Sequence, residues 1–374
     1  MPVVWSDRHR MHDPGGEVWV GVRTPGTEVP ERAERIREAL EAAGARLVDA
    51  EEQPDEAVLV VHDAPLTEYL ATAWEEWESS GLTEDPGQDR VVPYLFPHPG
   101  LFPEASPPAK RRAGGLLAGP KARAHRPGAD ARVPSAVSAR AGRFAYDTMT
   151  LIGPGTWEAA RAALDTAVTA ADLVLGGAPA AYALCRPPGH HVTRACFGGS
   201  CYLNNTAAAA ARFYEGTGHG TVAILDVDAH HGNGTQAIFW NEPLLLTGSV
   251  HVDPAAGWFP HYVGFADETS GVNWNIPVPP GTGDETWVAA VAELVGWARS
   301  HGADALVVAL GVDAAGGDPE SPLEVTAEGF RAAGRILGGM RLPTVVVQEG
   351  GYDLDRIGDL VLEVLAGIEE GAHG

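Results

Sequence analysis

Short apolar runs rich in β-branched residues alternate with helix-like segments from about residue 155 to the end of the chain. This order is typical of parallel strands connected by helices that cover both faces of one sheet, so it predicts an α/β fold. The predicted strands are residues 181–185, 222–227, 244–250, 306–310 and 344–348. The predicted helices are residues 156–175, 205–214, 286–300, 326–337 and 354–368.

The N-terminal part of the chain adds two predicted helices, at residues 31–43 and about 66–77. Between residues 91 and 134 the sequence becomes rich in Pro, Gly, Ala and Arg, which indicates a long loop excursion rather than a domain. With 374 residues, 45% of them hydrophobic, the chain can bury one large core or two smaller ones.

The charge and the cysteines restrict the class of partner and the compartment. A formal net charge of -24 argues against a nucleic-acid partner, because such affinity depends on clustered Lys and Arg, and a cationic small molecule fits the sign better. No run approaches the about 18 apolar residues of a membrane span. The three cysteines, Cys185, Cys196 and Cys201, are an odd number in one short region, which does not resemble a disulfide framework. We therefore expect a cytoplasmic protein without a membrane partner.

Polar residues follow four of the predicted strands, at the point where each strand ends. Residues 186–191 read Arg-Pro-Pro-Gly-His-His, and residues 226–234 read Asp-Val-Asp-Ala-His-His-Gly-Asn-Gly. Asp313 follows a third strand, and Glu-Gly-Gly-Tyr at residues 349–352 follows a fourth. The carboxyl ends of parallel strands form the ligand crevice of an open sheet, so the four clusters are expected to meet at one site.

Asp228 and His230 are two residues apart at the end of a strand, so their side chains leave on the same side and can bind one cation. Asp313 is the best candidate for a third ligand. Two carboxylates and one imidazole leave open positions on zinc, as a catalytic site requires if it is to bind water and a carbonyl oxygen. A cluster of satisfied polar side chains is the alternative, but burying it would be costly without a metal or a reaction.

The adjacent His190 and His191 are candidates for proton transfer beside such a metal, because a neutral imidazole can accept a proton from water and return it to a leaving amine. Asp226 and Asn233 flank the metal ligands and are candidate hydrogen-bond acceptors for the two imidazoles. Tyr352 follows a Gly-Gly turn and can donate its hydroxyl to a developing oxyanion.

These motifs resemble the zinc-dependent deacetylase superfamily, and within it the bacterial acetylpolyamine amidohydrolases and the class II histone deacetylases. The resemblance covers about half of the chain. It rests on residues 186–191, 198–205, 226–236, 249–254, 311–319 and 349–352, which occur in the family's order and at its spacing.

The resemblance implies a single arginase-like domain over residues 1–374, with an eight-stranded parallel sheet and the excursion at about 91–134. It implies deacylation of a small acylated amine and a homodimer. It also implies the following site: catalytic His190, His191 and Tyr352; zinc on Asp228, His230 and Asp313; structural potassium or sodium at Asp226, Asp228, His230, Ser249 and Val250; and substrate contacts from Gly199, Ser200, Gly350 and Gly351.

One position departs from the family pattern. Relatives carry Tyr or Phe between the Gly and the Cys at this point, whereas this chain has Ser200 between Gly199 and Cys201. The departure predicts that one aromatic wall of the acyl-lysine tunnel is missing, so that the tunnel is wider or more polar. The candidates to fill the space are Trp258, Phe259, Tyr262 and Phe265.

Three other functions stay open at this point. A protein acetyl-lysine deacetylase would use the same residues. A ureohydrolase with two manganese ions shares the fold class but needs further Asp and His ligands, whereas Ala314 and Ala315 follow Asp313. A non-catalytic protein that only binds acylated amines would not need both histidines and the tyrosine.

Overall fold

The computed structural model describes residues 1–98 and 133–374, so most of the predicted excursion lies outside the described residues. The strands in those ranges are β1 (Pro2–Trp5), β2 (Glu17–Trp19), β3 (Val22–Thr24), β4 (Arg46–Asp49), β5 (Ala180–Ala183), β6 (Val222–Asp226), β7 (Leu245–Val252), β8 (Asn273–Val278), β9 (Ala305–Leu310) and β10 (Thr344–Gln348). The α-helices are α1 (Glu31–Ala42), α2 (Glu56–Leu59), α3 (Ala64–Ser79), α4 (Val137–Phe144), α5 (Thr156–Leu175), α6 (Asn205–Gly216), α7 (Asn233–Phe239), α8 (Asp284–Ser300), α9 (Ala327–Gly338) and α10 (Ile357–His373).

Eight strands form one parallel sheet in the order β4-β1-β5-β10-β9-β6-β7-β8, and β2 and β3 form a separate antiparallel hairpin. The strands β5, β10, β9 and β6 are neighbours in this order. They are the four strands that the polar clusters follow. The topology therefore brings all four clusters together at the carboxyl ends of four neighbouring strands.

The sheet is covered on both faces, which explains why its central strands are apolar throughout. Along β6, Val222 and Ile224 pack into the core that α5 and α6 cover. Ala223 and Leu225 point the other way, into the core that contains residues of α8, α9 and α10. Every residue of β6, β9 and β10 is buried, so the polar residues that follow them continue from strands in the interior of the protein.

The predicted α/β fold class is confirmed, and all five predicted strands are present as β5, β6, β7, β9 and β10. The sequence interpretation missed β1, β4 and β8. The strands β1 and β4 have only four residues each, and β8 is an edge strand that contains two Asn and Pro277. No α-helix in the described ranges is long and apolar enough to cross a bilayer.

A buried ion cluster connects the N-terminal segment to the polar residues after β5. Glu28 is 4% exposed and accepts hydrogen bonds from Arg32 Nη1 at 3.0 Å and from Arg186 Nη2 at 3.0 Å. Arg186 also donates through Nη1 to the carbonyl oxygens of His9 and His12, at 2.7 and 2.8 Å. One carboxylate thus compensates two buried guanidinium groups from different parts of the chain.

We predict that Glu28→Ala lowers the free energy of unfolding by about 3–5 kcal/mol, because it leaves two buried cations without their carboxylate. Urea unfolding followed by circular dichroism measures the change. The control is Glu38→Ala. The Glu38 side chain is 57% exposed and pairs with Arg35, so its removal should lower the free energy of unfolding by less than about 1 kcal/mol. Equal losses from the two variants would show that the buried cluster has no special role in stability.

Candidate metal centre and active site

Asp228, His230 and Asp313 come together at the carboxyl ends of β6 and β9, which are neighbours in the sheet. Their potential ligand atoms all lie within 4.8 Å of one another. His230 Nδ1 is 3.2 Å from Asp228 Oδ1 and 3.1 Å from Asp313 Oδ2. Both carboxylates are completely buried, and the imidazole is only slightly exposed. Two carboxylates and one imidazole around a common point are a donor set that suits zinc.

Backbone groups hold the two carboxylates in place. Gly350 N donates to Asp228 Oδ2 at 2.7 Å, and Ala229 N donates to Asp313 Oδ1 at 2.9 Å. A side chain at position 350 would overlap the oxygens of both carboxylates, so only glycine allows this close approach. Burial and then the charge of Asp228 raise the pKa of Asp313 to about 7, which reflects the cost of enclosing two like charges. A bound divalent cation would remove this cost.

His190 and His191 have different partners, and the difference separates their protonation states. His190 Nδ1 is 2.9 Å from Asp226 Oδ2, and His191 Nδ1 is 2.7 Å from the amide oxygen of Asn233. Although burial opposes it, Asp228 and Asp226 raise the pKa of His190 to about 10. Burial and then the charge of His190 lower the pKa of His191 well below its ordinary value. The surroundings thus favour the cationic form of His190 and the neutral form of His191.

Tyr352 is held at the rim of the same site by two independent anchors. Its backbone N donates to Asp318 Oδ2 at 2.8 Å. The guanidinium of Arg32 lies 4.4 Å from the centre of its ring and donates to the carbonyl oxygens of Glu349 and Gly351, at 2.6 and 2.5 Å. Burial raises the pKa of Tyr352 well above its ordinary value, so the phenol keeps its proton and can act as a donor.

A cleft of about 380 Å³ leads to these residues. It is lined by Glu17, Trp19, Thr24, Thr27, Met149, His191, Gly199, Ser200, His230, Gly257, Trp258, Phe259, His261, Glu320 and Tyr352. The ring of Phe259 meets the His191 ring edge to face, with centroids 4.9 Å apart. Trp258 and Phe259, two of the four aromatic candidates, thus line the cleft, whereas Tyr262 is 90% exposed and Phe265 is not part of the lining.

The four residues predicted to contact substrate fall into two groups. Gly199 and Ser200 line the cleft as predicted from the resemblance. Gly350 and Gly351 do not line it, because the N–H of Gly350 is directed to Asp228 and the carbonyl of Gly351 accepts from Arg32. These hydrogen bonds position Asp228 and the segment before Tyr352, and the contact of the two glycines with substrate stays a prediction.

The residues predicted to hold a structural monovalent ion also lie next to one another. Strands β6 and β7 pair Asp226 with Ser249, and both side chains are buried. Val250 follows Ser249 on β7 and is buried as well. The ion itself stays a prediction.

The sequence interpretation missed several residues of the cleft, and their positions explain why. Glu17 and Trp19 belong to the β2-β3 hairpin, far from every motif in the sequence, so no spacing pointed to them. Met149 lies in an irregular segment before α5. Glu320 could have been predicted from the sequence, because it directly follows the motif at residues 311–319 and comes two residues after Asp318.

Comparison with known proteins gives the same assignment. Residues 26–368 match the family described as "Histone deacetylase domain". This chain belongs to the histone deacetylase family. It is 36% identical to the acetylpolyamine amidohydrolase of Mycoplana ramosa, over 98% of this chain and 99% of that protein, and 33% identical to acetylpolyamine amidohydrolase 2 of Pseudomonas aeruginosa, over 100% of both.

A solved structure is similar over the whole chain. The acetylpolyamine aminohydrolase from Burkholderia pseudomallei superposes with a TM-score of 0.84 at 33% identity, and the match covers 99% of each chain. The predicted resemblance to the deacetylase superfamily is therefore confirmed. The roles of the individual site residues stay predictions, which the geometry described above supports.

The different partners of the two histidines generate a prediction about pH. Asn233→Asp places a carboxylate beside His191 and should raise its pKa, so the acid limb of kcat/KM for deacetylation should move to higher pH. Asp226→Asn removes the carboxylate beside His190 and should lower that pKa, so the alkaline limb should move to lower pH. Rate profiles between pH 5 and 10 measure both limbs. Limbs that stay at the wild-type positions in both variants would mean that neither histidine controls the reaction.

Proposed function

We propose that this protein is a zinc-dependent amidohydrolase that removes acetyl groups from acetylated polyamines or similar small acylated amines, releasing acetate and the free amine. The observation that carries the proposal is the combination of the Asp-His-Asp centre with an acidic cleft leading to it. Glu17 and Glu320 both line that cleft. Burial and then the charge of Glu320 raise the pKa of Glu17, so the two carboxylates are close enough to repel each other. A bound ammonium group would relieve this repulsion.

The metal follows from the donor set. Asp228, His230 and Asp313 would hold a single zinc ion, which would act as a Lewis acid on the carbonyl group and lower the pKa of a bound water molecule. The three residues form the one cluster of potential ligands found within the described ranges. This count favours zinc over a ureohydrolase centre, which needs ligands for two manganese ions.

The side chains at the site have different roles in the proposed reaction. Neutral His191 accepts a proton from the attacking water and returns it to the leaving nitrogen. His190, whose cationic form Asp228 and Asp226 favour, offsets negative charge that develops on the carbonyl oxygen during the reaction. Tyr352 donates its hydroxyl to the oxyanion, and Arg32 keeps its ring in place. A protein that only binds acylated amines would not require this set of groups.

Three further expectations belong to the same proposal, and one alternative function competes with it. Asp226, Asp228, His230, Ser249 and Val250 would hold potassium or sodium, which would stiffen the segment that carries the zinc ligands. The homodimer and the cytoplasmic location stay predictions. A protein acetyl-lysine deacetylase is the second candidate function, since it would use the same catalytic groups. Its substrates, however, need no free ammonium group that could interact with Glu17 and Glu320.

A substrate panel tests the proposal. We expect acetylputrescine and acetylspermidine to be hydrolysed with kcat/KM at least about tenfold higher than N-butylacetamide, which has a similar chain but no ammonium group. Acetyl-lysine peptides of histone sequence complete the panel. A chelator should abolish all activity, and zinc should restore it.

The variant Glu17→Gln is the matched control for the role of charge. It should reduce the preference for acetylputrescine over N-butylacetamide while the rate with N-butylacetamide stays close to wild type. Better turnover of histone peptides than of both acetylpolyamines would contradict the proposed substrate class.

A further inference from the structure

The aromatic wall of the cleft is carried by a loop, and the loop needs a support. Residues 253–272, here called the wall loop, connect β7 to β8 and contain Trp258 and Phe259. Three residues after Phe259 the chain is exposed to solvent at Tyr262, whose side chain is 90% exposed. The loop then returns to the protein interior at Gly264, which is buried. Pro260, directly after Phe259, and Gly264 are thus the two buried points of the wall loop on this side of Phe259.

Gly264 is held by hydrogen bonds at both its N–H group and its carbonyl group. Its N–H donates to Glu268 Oε2 at 2.9 Å, and its carbonyl oxygen accepts from His251 Nε2 at 2.7 Å. Its φ of +104° is a conformation that favours glycine, and an added Cβ would lie 2.8 Å from His231 Cγ and 2.9 Å from His251 Nε2. The loop is thus pressed against the histidine that directly follows the metal ligand His230.

Glu268 connects this anchor to the helix after the metal ligands. The same oxygen, Oε2, accepts a second hydrogen bond from Gln236 Nε2 at 3.2 Å. Gln236 lies on α7, and its Oε1 is 2.9 Å from His231 Nε2 and accepts from Asn275 Nδ2 at 2.9 Å. A single carboxylate oxygen therefore bridges the wall loop and the segment that carries the zinc ligands.

We propose that Glu268 is a positioning residue that fixes the wall loop through Gly264 and thereby holds Phe259 against His191. The inference rests on the proposed function and adds a determinant of substrate affinity to it. Ser200 provides no aromatic ring to the cleft, and among the Phe, Tyr and Trp side chains that line it within the described residues, Phe259 is the one in ring contact with His191. Loosening the wall loop should weaken substrate binding without removing any group that takes part in the reaction.

Two conservative variants separate the geometry of Glu268 from its charge. Glu268→Asp keeps the charge, but the shorter side chain cannot reach both Gly264 N and Gln236 Nε2. Glu268→Gln loses the charge, but its amide oxygen can accept both hydrogen bonds at the place where Oε2 accepts them now. We expect Glu268→Asp to raise KM for acetylputrescine about fivefold with kcat within about twofold, and Glu268→Gln to stay near wild type.

Asp267→Asn is the matched control for charge. Asp267 precedes Glu268 on the same loop, is exposed, and its carboxylate makes no hydrogen bond to any residue that the structure describes. It should leave both KM and kcat unchanged. If Glu268 acted only by attracting the cationic substrate, Glu268→Gln and Asp267→Asn would raise KM, Glu268→Asp would not, and the effect would fade with added salt. That pattern would overturn the proposal.

Hydrogen–deuterium exchange tests the same link without a substrate. In zinc-loaded protein, Glu268→Asp should increase exchange in peptides that cover residues 257–266 and leave peptides that cover β7 unchanged, whereas Glu268→Gln should match wild type. Unchanged exchange in Glu268→Asp would overturn the proposal. If the wild-type protein hydrolysed no acetylated amine, the proposed function would fail, and the exchange experiment would still decide whether Glu268 holds the wall loop.

Discussion

Asp228 and Asp313 place two carboxylates side by side in the interior of the protein, and the arrangement of the site follows from the need to hold them there. The two residues follow β6 and β9, which are hydrogen-bonded neighbours, so the sheet itself fixes their separation. Backbone N–H groups of Gly350 and Ala229 each take one oxygen, and the other oxygens face His230. Buried like charges are costly unless a cation or a proton compensates them, so this pair is the strongest argument for a metal.

The support for this pair extends far beyond the cleft. The strand end that supplies Gly350 also carries Tyr352, and Arg32 of α1 holds it through two carbonyl oxygens and the phenol ring. Arg32 in turn shares Glu28 with Arg186, which belongs to the segment that precedes His190 and His191, the candidate catalytic histidines. Residues from the N-terminal 32 positions thus help to orient groups from the last third of the chain. Catalytic geometry and global stability are coupled in this fold.

The sequence predicted those parts of the molecule that leave a local pattern. Asp228 and His230 follow one apolar strand at a spacing of two, and Asp313 follows another. This pattern predicted that the three candidate metal ligands lie together, as they do in the structure. The same reasoning placed His190 and His191 beside Asp226 and Asn233. The cleft was less predictable, because Glu17 and Trp19 lie on a hairpin whose position depends on tertiary packing. The strands β1 and β4 were missed because four residues are too few to show a clear pattern, and β8 was missed because its two Asn residues and Pro277 are uncommon in strands.

We propose that a single zinc ion, held by Asp228, His230 and Asp313, makes this acidic cleft an amidohydrolase site. The most direct measurement is a metal titration of protein that has been stripped by a chelator, with metal content and hydrolysis of acetylputrescine measured in the same samples. We expect the rate of acetylputrescine hydrolysis to rise linearly with the amount of bound zinc and to reach its maximum at one zinc ion per chain. Full activity in the stripped protein, or a maximum that requires two metal ions per chain, would contradict it.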